Sequence, residues 1–249
     1  MAALRTIEEV ASESDLLLRS KPGVWRYNEE SPHIEAFVYD LATDSDDGVG
    51  TVDGYRIAQD WTVSSDLHLW NEADAMDGDV VRYVEALIRE LRACEVVFDF
   101  APSLASIQRT TLVRHVEVTG KIPTAELMRS AVACVAMIDA PTIMLVDPWP
   151  MAEERRSPQG KLHGRTNIPR LLELGFTRMV GSRFLWAWNS ELDESLMEGY
   201  AYEKLVAAKR NGSLDGILNA PIADEIYGIL PAGVAQIVDV PEPDDLTDE

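Results

Sequence analysis

Residues 110–146 decide the fold, and they read TTLVRHVEVTGKIPTAELMRSAVACVAMIDAPTIMLV. Thr110–Val118 is rich in β-branched and apolar side chains, which predicts a β-strand. Pro123 follows a glycine turn at the position that the first turn of a helix favours, and the apolar spacing after it predicts a helix. Pro141 ends that helix, and Thr142–Val146 is a short apolar run typical of a buried strand. This stretch therefore predicts a strand, a glycine turn, a helix and a second strand.

Further elements follow this unit along the chain. Residues 147–166 hold three prolines and two glycines, which predicts a long loop of the kind that is often functional. Asn167–Leu174 has the apolar spacing of a short helix that Gly175 ends. Thr177–Asn189 is rich in aromatic side chains and predicts a strand.

The part of the chain before this unit adds strands and a long helix. His33–Leu41 and Thr51–Val63 predict two strands, joined by an acidic loop at Thr43–Gly50. Asp79–Cys94 carries the clearest apolar stripe of the sequence and predicts a helix. A strand is predicted directly after it, at Glu95–Phe100.

The two ends complete the expected organisation. Met1–Leu18 predicts a short amphipathic helix or arm, and Ser190–Gly212 opens on a capping-box pattern that predicts a helix. Together the elements predict an α/β (α+β) protein with a mixed twisted sheet flanked by helices. We expect an N-terminal arm at residues 1–30, a single domain with a C-terminal helical extension at 31–240, and an acidic disordered tail at 241–249.

The composition limits the classes of protein to which the chain can belong. The chain has 249 residues, of which 46% are hydrophobic and 26% are charged, so it can bury a core without disulfides or metals. No apolar run approaches the roughly 20 residues of a membrane span. Glu8 and Glu9 stand where a secretory signal would have its apolar region. We therefore expect a cytoplasmic protein that does not associate with membranes.

Charge is distributed unevenly along the chain. The 43 acidic and 22 basic residues give a net charge of −21, which argues against nonspecific binding to nucleic acid. Residues 109–183, which we call the basic segment, hold 11 basic and 7 acidic residues; their net charge is +4, while the remainder carries −25. This asymmetry favours contact between the basic segment and an anion. The alternative is that its cations pair with acidic residues elsewhere in the fold.

Several kinds of site are not predicted. The four histidines and the two cysteines lack metal-ligand spacing, so we expect no metal site. Cys94 and Cys134 both lie in predicted helices and are interpreted as small core residues. The chain has no GxSxG elbow, no Walker loop and no GxGxxG after a strand.

The order of elements over residues 110–189 is similar to a known fold. It runs strand, glycine turn, helix, strand, short helix ending in Gly-Phe, strand, and resembles the core of the GNAT superfamily of N-acetyltransferases. Residues 171–176, LLELGF, resemble the end of that fold's last core helix. Asn167 resembles the Asn that often opens this helix, although it lies closer to the Gly-Phe pair than is usual.

The resemblance implies a site for acetyl-CoA or another acyl-CoA. In that fold the pantetheine arm inserts between two parallel strands that splay apart, and the pyrophosphate binds amides at a helix N-terminus. Carried onto this chain, Gly120 lets the backbone approach the phosphates closely, Lys121 adds a cation, and Thr124 donates a hydroxyl. The full set of implied CoA contacts is Val116, Val118, Thr119, Gly120, Lys121, Thr124 and Asn167.

The chain departs from the family's pattern at two places. Gly120 is the only one of the spaced phosphate-loop glycines that remains, and Pro123 removes one amide donor. The Tyr that often serves as general acid is absent, and Leu172 occupies the aligned neighbourhood. The chain is therefore a divergent member, a reuse of the core without acetyl transfer, or a chance likeness.

An acyltransferase reading also needs a base, because the acceptor amine must lose a proton before it attacks the thioester. Glu117, at the end of the strand before the phosphate turn, is the predicted catalytic base. His115 and His163 are alternatives, since the ordinary pKa of imidazole suits the role. The competing interpretation is that Glu117 pairs with Lys121 or Arg114 at the surface.

Two functions from different classes remain. The first is a divergent CoA-dependent N-acyltransferase acting on a small-molecule or macromolecular amine, with nucleic acid bound only through the basic segment. The second is a non-enzymatic interaction or assembly protein that uses its N-terminal arm, long loop and acidic tail. A homo-oligomer is compatible with both. Separation of the strands at 110–118 and 142–146 favours the first, and a closed pair filled by side chains favours the second.

Overall fold

A computed structural model of the protein describes residues 2–21, 33–44, 46–58, 66–76, 78–98, 109–119, 124–148, 167–188 and 201–219. The strands are β1 (Leu16–Ser20), β2 (Ile34–Thr43), β3 (Asp46–Ala58), β4 (Arg109–Val118), β5 (Ile143–Val146), β6 (Thr177–Arg178) and β7 (Leu185–Trp188). The helices are α1 (Ala2–Glu13), α2 (Asp66–Met76), α3 (Gly78–Phe98), α4 (Thr124–Asp139), α5 (residues 167–173), α6 (Tyr202–Arg210) and α7 (Asp215–Leu218). The mixed α/β class expected from the sequence is therefore confirmed.

The strands form one seven-stranded mixed sheet in the order β1-β2-β3-β4-β5-β7-β6. β4 and β5 are parallel, whereas the other neighbouring pairs of this sheet are antiparallel. A parallel pair needs a crossover connection, and α4 provides it between β4 and β5. The alternation of strand direction is thus interrupted at the centre of the sheet.

Apolar cores cover both faces of the sheet. On one face, which we call the α3 face, Val84 and Leu87 of α3 are buried against the strands. On the other, the α4 face, Leu127 and Val132 of α4 are buried together with Ile7 of α1. Side chains of a strand alternate between the two faces, so each central strand contributes to both cores.

The two cysteines have the structural role expected from the sequence. Cys94 is buried in the core of the α3 face and Cys134 in that of the α4 face, and both thiols are free. Burial raises the pKa of each thiol above its usual value. Both are therefore neutral core residues.

A buried carboxylate fastens the paired end of β4 and β5. Oδ1 of Asp139, at the end of α4, accepts from Nε and Nη2 of Arg56, both at 2.9 Å, and Oδ2 accepts from the Thr111 hydroxyl at 3.0 Å. Arg109 donates to the Asp139 carbonyl oxygen at 2.6 Å, and Arg56 also donates to the Tyr39 hydroxyl. This network ties α4 to three neighbouring strands at one end of the sheet.

The strand, helix and second strand predicted from residues 110–146 are confirmed, whereas the glycine turn at residues 120–123 lies outside the described residues. β4, α4 and β5 lie close to the predicted bounds, and all four residues of β5 are buried. α3 contains the predicted helix at 79–94. Gly175 has a φ of 88°, the left-handed conformation that commonly ends a helix, so the predicted end of α5 is also confirmed.

α3 is longer than predicted. The strand expected at 95–100 is wrong over its described residues, because residues 95–98 belong to α3. The β-branched Val96 and Val97 favour a strand locally, but Val97 and Phe98 pack against the core of the α3 face as helix residues. Tertiary packing therefore overrides local preference here.

Boundaries also differ at the edge of the sheet. The loop predicted at Thr43–Gly50 is wrong, because β2 and β3 form a tight hairpin in which Thr43 pairs with Asp46. The helix or arm predicted at Met1–Leu18 ends at Glu13, and Leu16–Ser20 pairs with β2 as an edge strand. Both outcomes depend on pairing with a neighbouring strand, which the local sequence does not reveal.

The C-terminal part agrees in part with the sequence. The single strand predicted at 177–189 is instead two short strands, β6 and β7, that pair antiparallel. The continuous helix predicted at Ser190–Gly212 is wrong at Ala201, which is extended, because α6 begins at Tyr202 and ends at Arg210; residues 190–200 lie outside the described residues. The loop over residues 149–166 and the tail at 241–249 lie outside the described residues. None of the described helices is long and apolar enough to cross a membrane.

Candidate functional site

β5 ends half-way along β4. Their register pairs Thr110 with Ile143 and ends where Val113 pairs with Val146. β5 stops there, whereas β4 continues to Val118 along β3. Within the described residues, the second half of β4 therefore has a strand neighbour on one side only. We call the side of β4 that faces away from β3, over residues 114–118, the strand divergence.

A β-bulge in β4 coincides with the strand divergence. Asp53 of β3 pairs with His115, whereas Gly54 pairs with Val113, so Arg114 is the extra residue. A bulge bends its strand and increases the local twist, which accounts for the departure of β4 from β5 at this point. Gly54 permits the close approach of the strands, because a Cβ there would overlap the β4 backbone.

Backbone hydrogen-bonding groups of β4 face away from β3 at the strand divergence. The amide of Thr119 donates to the carbonyl oxygen of Val49 at 3.0 Å, so the backbone of Thr119 faces β3. Successive residues of a strand direct their N–H and C=O groups to opposite sides. The corresponding groups of Val116 and Val118 therefore face the strand divergence, where an extended ligand can pair with them.

Arg114 makes the first of two ion pairs beside the strand divergence. Its Nε lies 2.5 Å from Oδ1 of Asp53, and its Nη1 lies 3.4 Å from the Tyr55 hydroxyl and 3.9 Å from Oδ2 of Asp79. Burial lowers the pKa of Arg114, but the hydrogen bond and the charge of Asp53 outweigh it, so the pKa is raised. Tyr55 belongs to the core of the α3 face, and the bulged arginine is therefore on that face.

Arg183 and Asp147 make the second ion pair. Asp147 follows β5 directly, and its amide donates to the carbonyl oxygen of Val113 at 3.1 Å. Nε and Nη2 of Arg183 lie 3.0 and 2.6 Å from Oδ2 of Asp147. The side chain of Asp147 is 2% exposed and that of Arg183 is 38% exposed. The carboxylate is thus inside the protein, and the guanidinium reaches its surface.

Tyr83 of α3 contacts β4 and the residue that precedes β7. Its ring stacks on Phe184 with the centroids 4.3 Å apart, and its hydroxyl donates to the carbonyl oxygen of Val113 at 3.3 Å. Burial raises the pKa of Tyr83 well above its usual value, and the charge of Asp147 raises it further. Tyr83 is therefore a neutral hydrogen-bond donor.

Comparison with known proteins adds no assignment to this site. No family model, curated protein or solved structure matches the chain. The candidate site is therefore defined by its own geometry.

Glu117, the predicted base, lies one residue before the end of β4. Its side chain is exposed, and Oε2 accepts from the Thr51 hydroxyl at 3.5 Å. The competing interpretation paired Glu117 with Lys121 or Arg114, but the contacts of Arg114 within the described residues are with other side chains. Lys121 lies outside the described residues. The carboxylate is thus accessible at the open end of β4.

His115, an alternative base, is close to Asp53. Its side chain is 13% exposed, and its Nδ1 lies 3.8 Å from Oδ2 of Asp53. Because Asp53 also binds Arg114, the aspartate is positioned between the two residues at the bulge. His163, the other alternative, lies outside the described residues.

The predicted CoA contacts on β4 line the strand divergence. Val116 is buried and Val118 is half-buried. The backbone N–H and C=O groups of both residues face away from β3. Thr119 is exposed, and its hydroxyl donates to the carbonyl oxygen of Gly48 at 2.9 Å. That hydroxyl therefore helps to fasten the end of β4 to the β2–β3 hairpin.

The turn between β4 and α4 carries the remaining predicted phosphate contacts. Gly120 and Lys121 lie outside the described residues. Thr124 is the first residue of α4, so the N-terminal end of this helix follows the strand divergence closely along the chain. A helix N-terminus offers amide groups to an anion, which is the property that the sequence assigned to this turn.

Asn167 contacts the chain that leaves β5. It is the first described residue of α5 and is 2% exposed. Its Nδ2 donates to the carbonyl oxygen of Pro148 at 3.0 Å. Asn167 thus fastens α5 to the end of β5, beside the strand divergence.

Sequence reasoning missed the side chains that surround the divergence on the α3 face. The missed residues are Asp53, Tyr55, Asp79, Tyr83, Asp147 and Arg183. One signal was available, because a carboxylate inside or directly after a buried strand needs a partner. Asp53 and Asp147 both stand at such positions in the sequence.

Four described arginines of the basic segment form ion pairs with carboxylates. Arg114 pairs with Asp53 from outside the segment, and Arg183 pairs with Asp147 inside it. The expected alternative, pairing with acidic residues elsewhere in the fold, is therefore met by Arg114, whereas Arg183 pairs within the segment. Two more pairs are local contacts on helices, Arg129 with Glu126 and Arg170 with Glu173.

Proposed function

We propose that the protein is a CoA-dependent N-acyltransferase that moves an acyl group from an acyl-CoA to an amine. The observation that carries this proposal is the strand divergence: β5 ends at Val146, paired with Val113, and β4 continues for five residues beside β3. The proposal includes an acetyltransferase-like fold, of which the strand divergence is the functional centre.

The backbone of β4 supplies suitable partners for the pantetheine arm. That arm contains amide groups, and an extended chain of amides can add to the open side of a strand. Val116 and Val118 present both a donor and an acceptor there. The start of α4 lies at the end of β4, where its amides suit a pyrophosphate.

The reaction needs a neutral amine and a polarised thioester. The amine nitrogen attacks the thioester carbonyl, a C–N bond forms, the C–S bond breaks, and CoA leaves as a thiolate. A base must remove the proton of the amine. We assign this role to Glu117, whose carboxylate is accessible at the open end of β4, with His115 beside Asp53 as the second candidate.

Acetyl-CoA binding is the direct test. We expect acetyl-CoA at about 100 times its Kd to stabilise the fold by about 2.7 kcal/mol, which raises the Tm of a chain of this size by about 5–10 °C. ATP, which has phosphates but no pantetheine arm, is the control ligand and should shift the Tm less. Absence of a shift at millimolar acetyl-CoA would contradict the proposal and leave the interaction-protein alternative.

A variant of β4 sharpens this test. Val118→Pro removes an N–H that faces the strand divergence and does not serve the pairing with β3, so the Tm of the free protein should change little. The shift caused by acetyl-CoA should decrease, because the pantetheine arm loses a partner. Thr119→Pro is the matched control, since it removes the N–H that binds Val49 and should lower the Tm without ligand.

A further inference from the structure

Two arginines on the α3 face are held at the strand divergence by carboxylates that lie deeper in the protein. The side chains of Arg114 and Arg183 are 34% and 38% exposed, whereas those of Asp53 and Asp147 are 15% and 2% exposed. In each pair the carboxylate is therefore the more buried partner, and the guanidinium group is the more exposed one.

Both ion pairs adjoin the same carbonyl group. The amide of Asp147 and the hydroxyl of Tyr83 both donate to the Val113 carbonyl oxygen, at 3.1 and 3.3 Å. Arg114 is the next residue after Val113, and Arg183 binds the side chain of Asp147. The Arg183–Asp147 pair is thus connected to Val113 through the amide of Asp147, and the Arg114–Asp53 pair begins one residue after Val113 on β4.

Each guanidinium keeps donor capacity for a further oxygen. Arg183 uses Nε and Nη2 for Asp147, and its Nη1 has no partner within the described residues. Arg114 uses Nε for Asp53 and Nη1 for Tyr55, and its Nη2 likewise has no partner there. Planar guanidinium groups with paired N–H donors match the geometry of carboxylates and phosphates.

We propose that Arg114 and Arg183 form a subsite for an oxyanion, a carboxylate or a phosphate, carried by the acceptor amine. The word acceptor rests on the proposed function, whereas the anion subsite itself does not. The subsite selects amines that bear an acid group over amines without one. It is also composed of residues other than those of the predicted phosphate turn at 119–124.

Direct binding tests the subsite without any acyl transfer. Isothermal titration of the full chain with β-alanine, phosphoethanolamine and propanolamine compares a carboxylate, a phosphate and a neutral alcohol on similar amines. We expect one of the two anionic amines to bind with a Kd at least about tenfold lower than that of propanolamine. The free energy of one charge-assisted hydrogen bond corresponds to a ratio of Kd values of that size. The carboxylate and phosphate arms identify which oxyanion fits.

A double variant tests the assignment of the subsite by replacing both partners of one ion pair. Arg183→Gln combined with Asp147→Asn leaves no unpaired buried charge, so the fold should persist, and it should abolish the preference for the anionic amine. Arg178→Gln is the control, because Arg178 is an exposed arginine on β6 and its loss should leave the preference unchanged. Equal binding of all three amines by the wild type would overturn the inference.

Acetyl-CoA titrations separate this inference from the proposed function. If acetyl-CoA binds the wild type and the double variant equally, while only the wild type prefers the anionic amine, the subsite serves the acceptor as proposed. If the double variant instead loses acetyl-CoA affinity and keeps its preference among the amines, the arginines serve CoA and the inference is wrong. If acetyl-CoA does not bind at all, the proposed function fails, and the amine titrations alone still decide on the subsite.

Discussion

Tyr83 is a single side chain that joins helix α3 to β4 and to the residue that precedes β7. Its ring packs on Phe184, and its hydroxyl shares the Val113 carbonyl oxygen with the amide of Asp147. Because burial raises its pKa well above the usual value, the phenol keeps its proton at physiological pH. Tyr83 can therefore donate a hydrogen bond at this position, but it cannot take the proton of an amine.

The base assignment can be tested at the level of one residue. Glu117→Gln keeps the size of the side chain and removes its proton affinity, so turnover of acetyl-CoA with a suitable amine should fall about 100-fold or more. The affinity for acetyl-CoA, measured by titration, should stay nearly unchanged. Glu95→Gln is the control, since Glu95 is exposed near the end of α3. An unchanged rate in Glu117→Gln would remove this residue from the mechanism and leave His115.

At the scale of elements, the bulge between β3 and β4 determines where the sheet opens. Gly54 lies opposite Val113, and Arg114 is inserted directly after it. The strand, helix and strand of residues 110–146 could be predicted, because their apolar patterns are local. The bulge could not, since it depends on the register of residues that are 61 positions apart, such as Asp53 and Arg114. The partners of Tyr83 were missed for the same reason.

Gly54→Ala tests the importance of the close approach at the bulge. The added Cβ would overlap the carbonyl oxygen of Leu112 and approach the Phe37 ring to 2.9 Å, so β3 and β4 must move apart. We expect a loss of about 1–3 kcal/mol in the free energy of unfolding, measured by urea denaturation. Gly48→Ala, on the same strand, is the matched control because nothing lies within 4 Å of its Cβ position. Equal effects of the two substitutions would contradict this account of the bulge.

At the scale of the whole molecule, the dominant property is the net charge of −21. Like charges repel one another and destabilise a compact chain. Exposed ion pairs oppose this effect only weakly, since each contributes about 0–1 kcal/mol.

Salt should therefore stabilise the protein. Raising sodium chloride from about 10 to 200 mM shortens the Debye length from about 30 to below 10 Å, which screens the repulsion between distant carboxylates. We expect the Tm to rise over this range in the absence of ligand, as followed by circular dichroism. Potassium chloride should give the same rise, because screening does not depend on the cation. A fall in Tm would mean that ion pairs, rather than net repulsion, dominate the electrostatic stability.

The network of Asp139 at the other end of β4 has a consequence for how a ligand enters. Because Arg56, Thr111 and the end of α4 are fastened together there, the paired half of β4 and β5 behaves as a fixed hinge point. A ligand that pairs with residues 114–118 of β4 does not have to break the hydrogen bonds that pair Thr110–Val113 with β5. Its binding free energy is therefore not reduced by the cost of separating two paired strands.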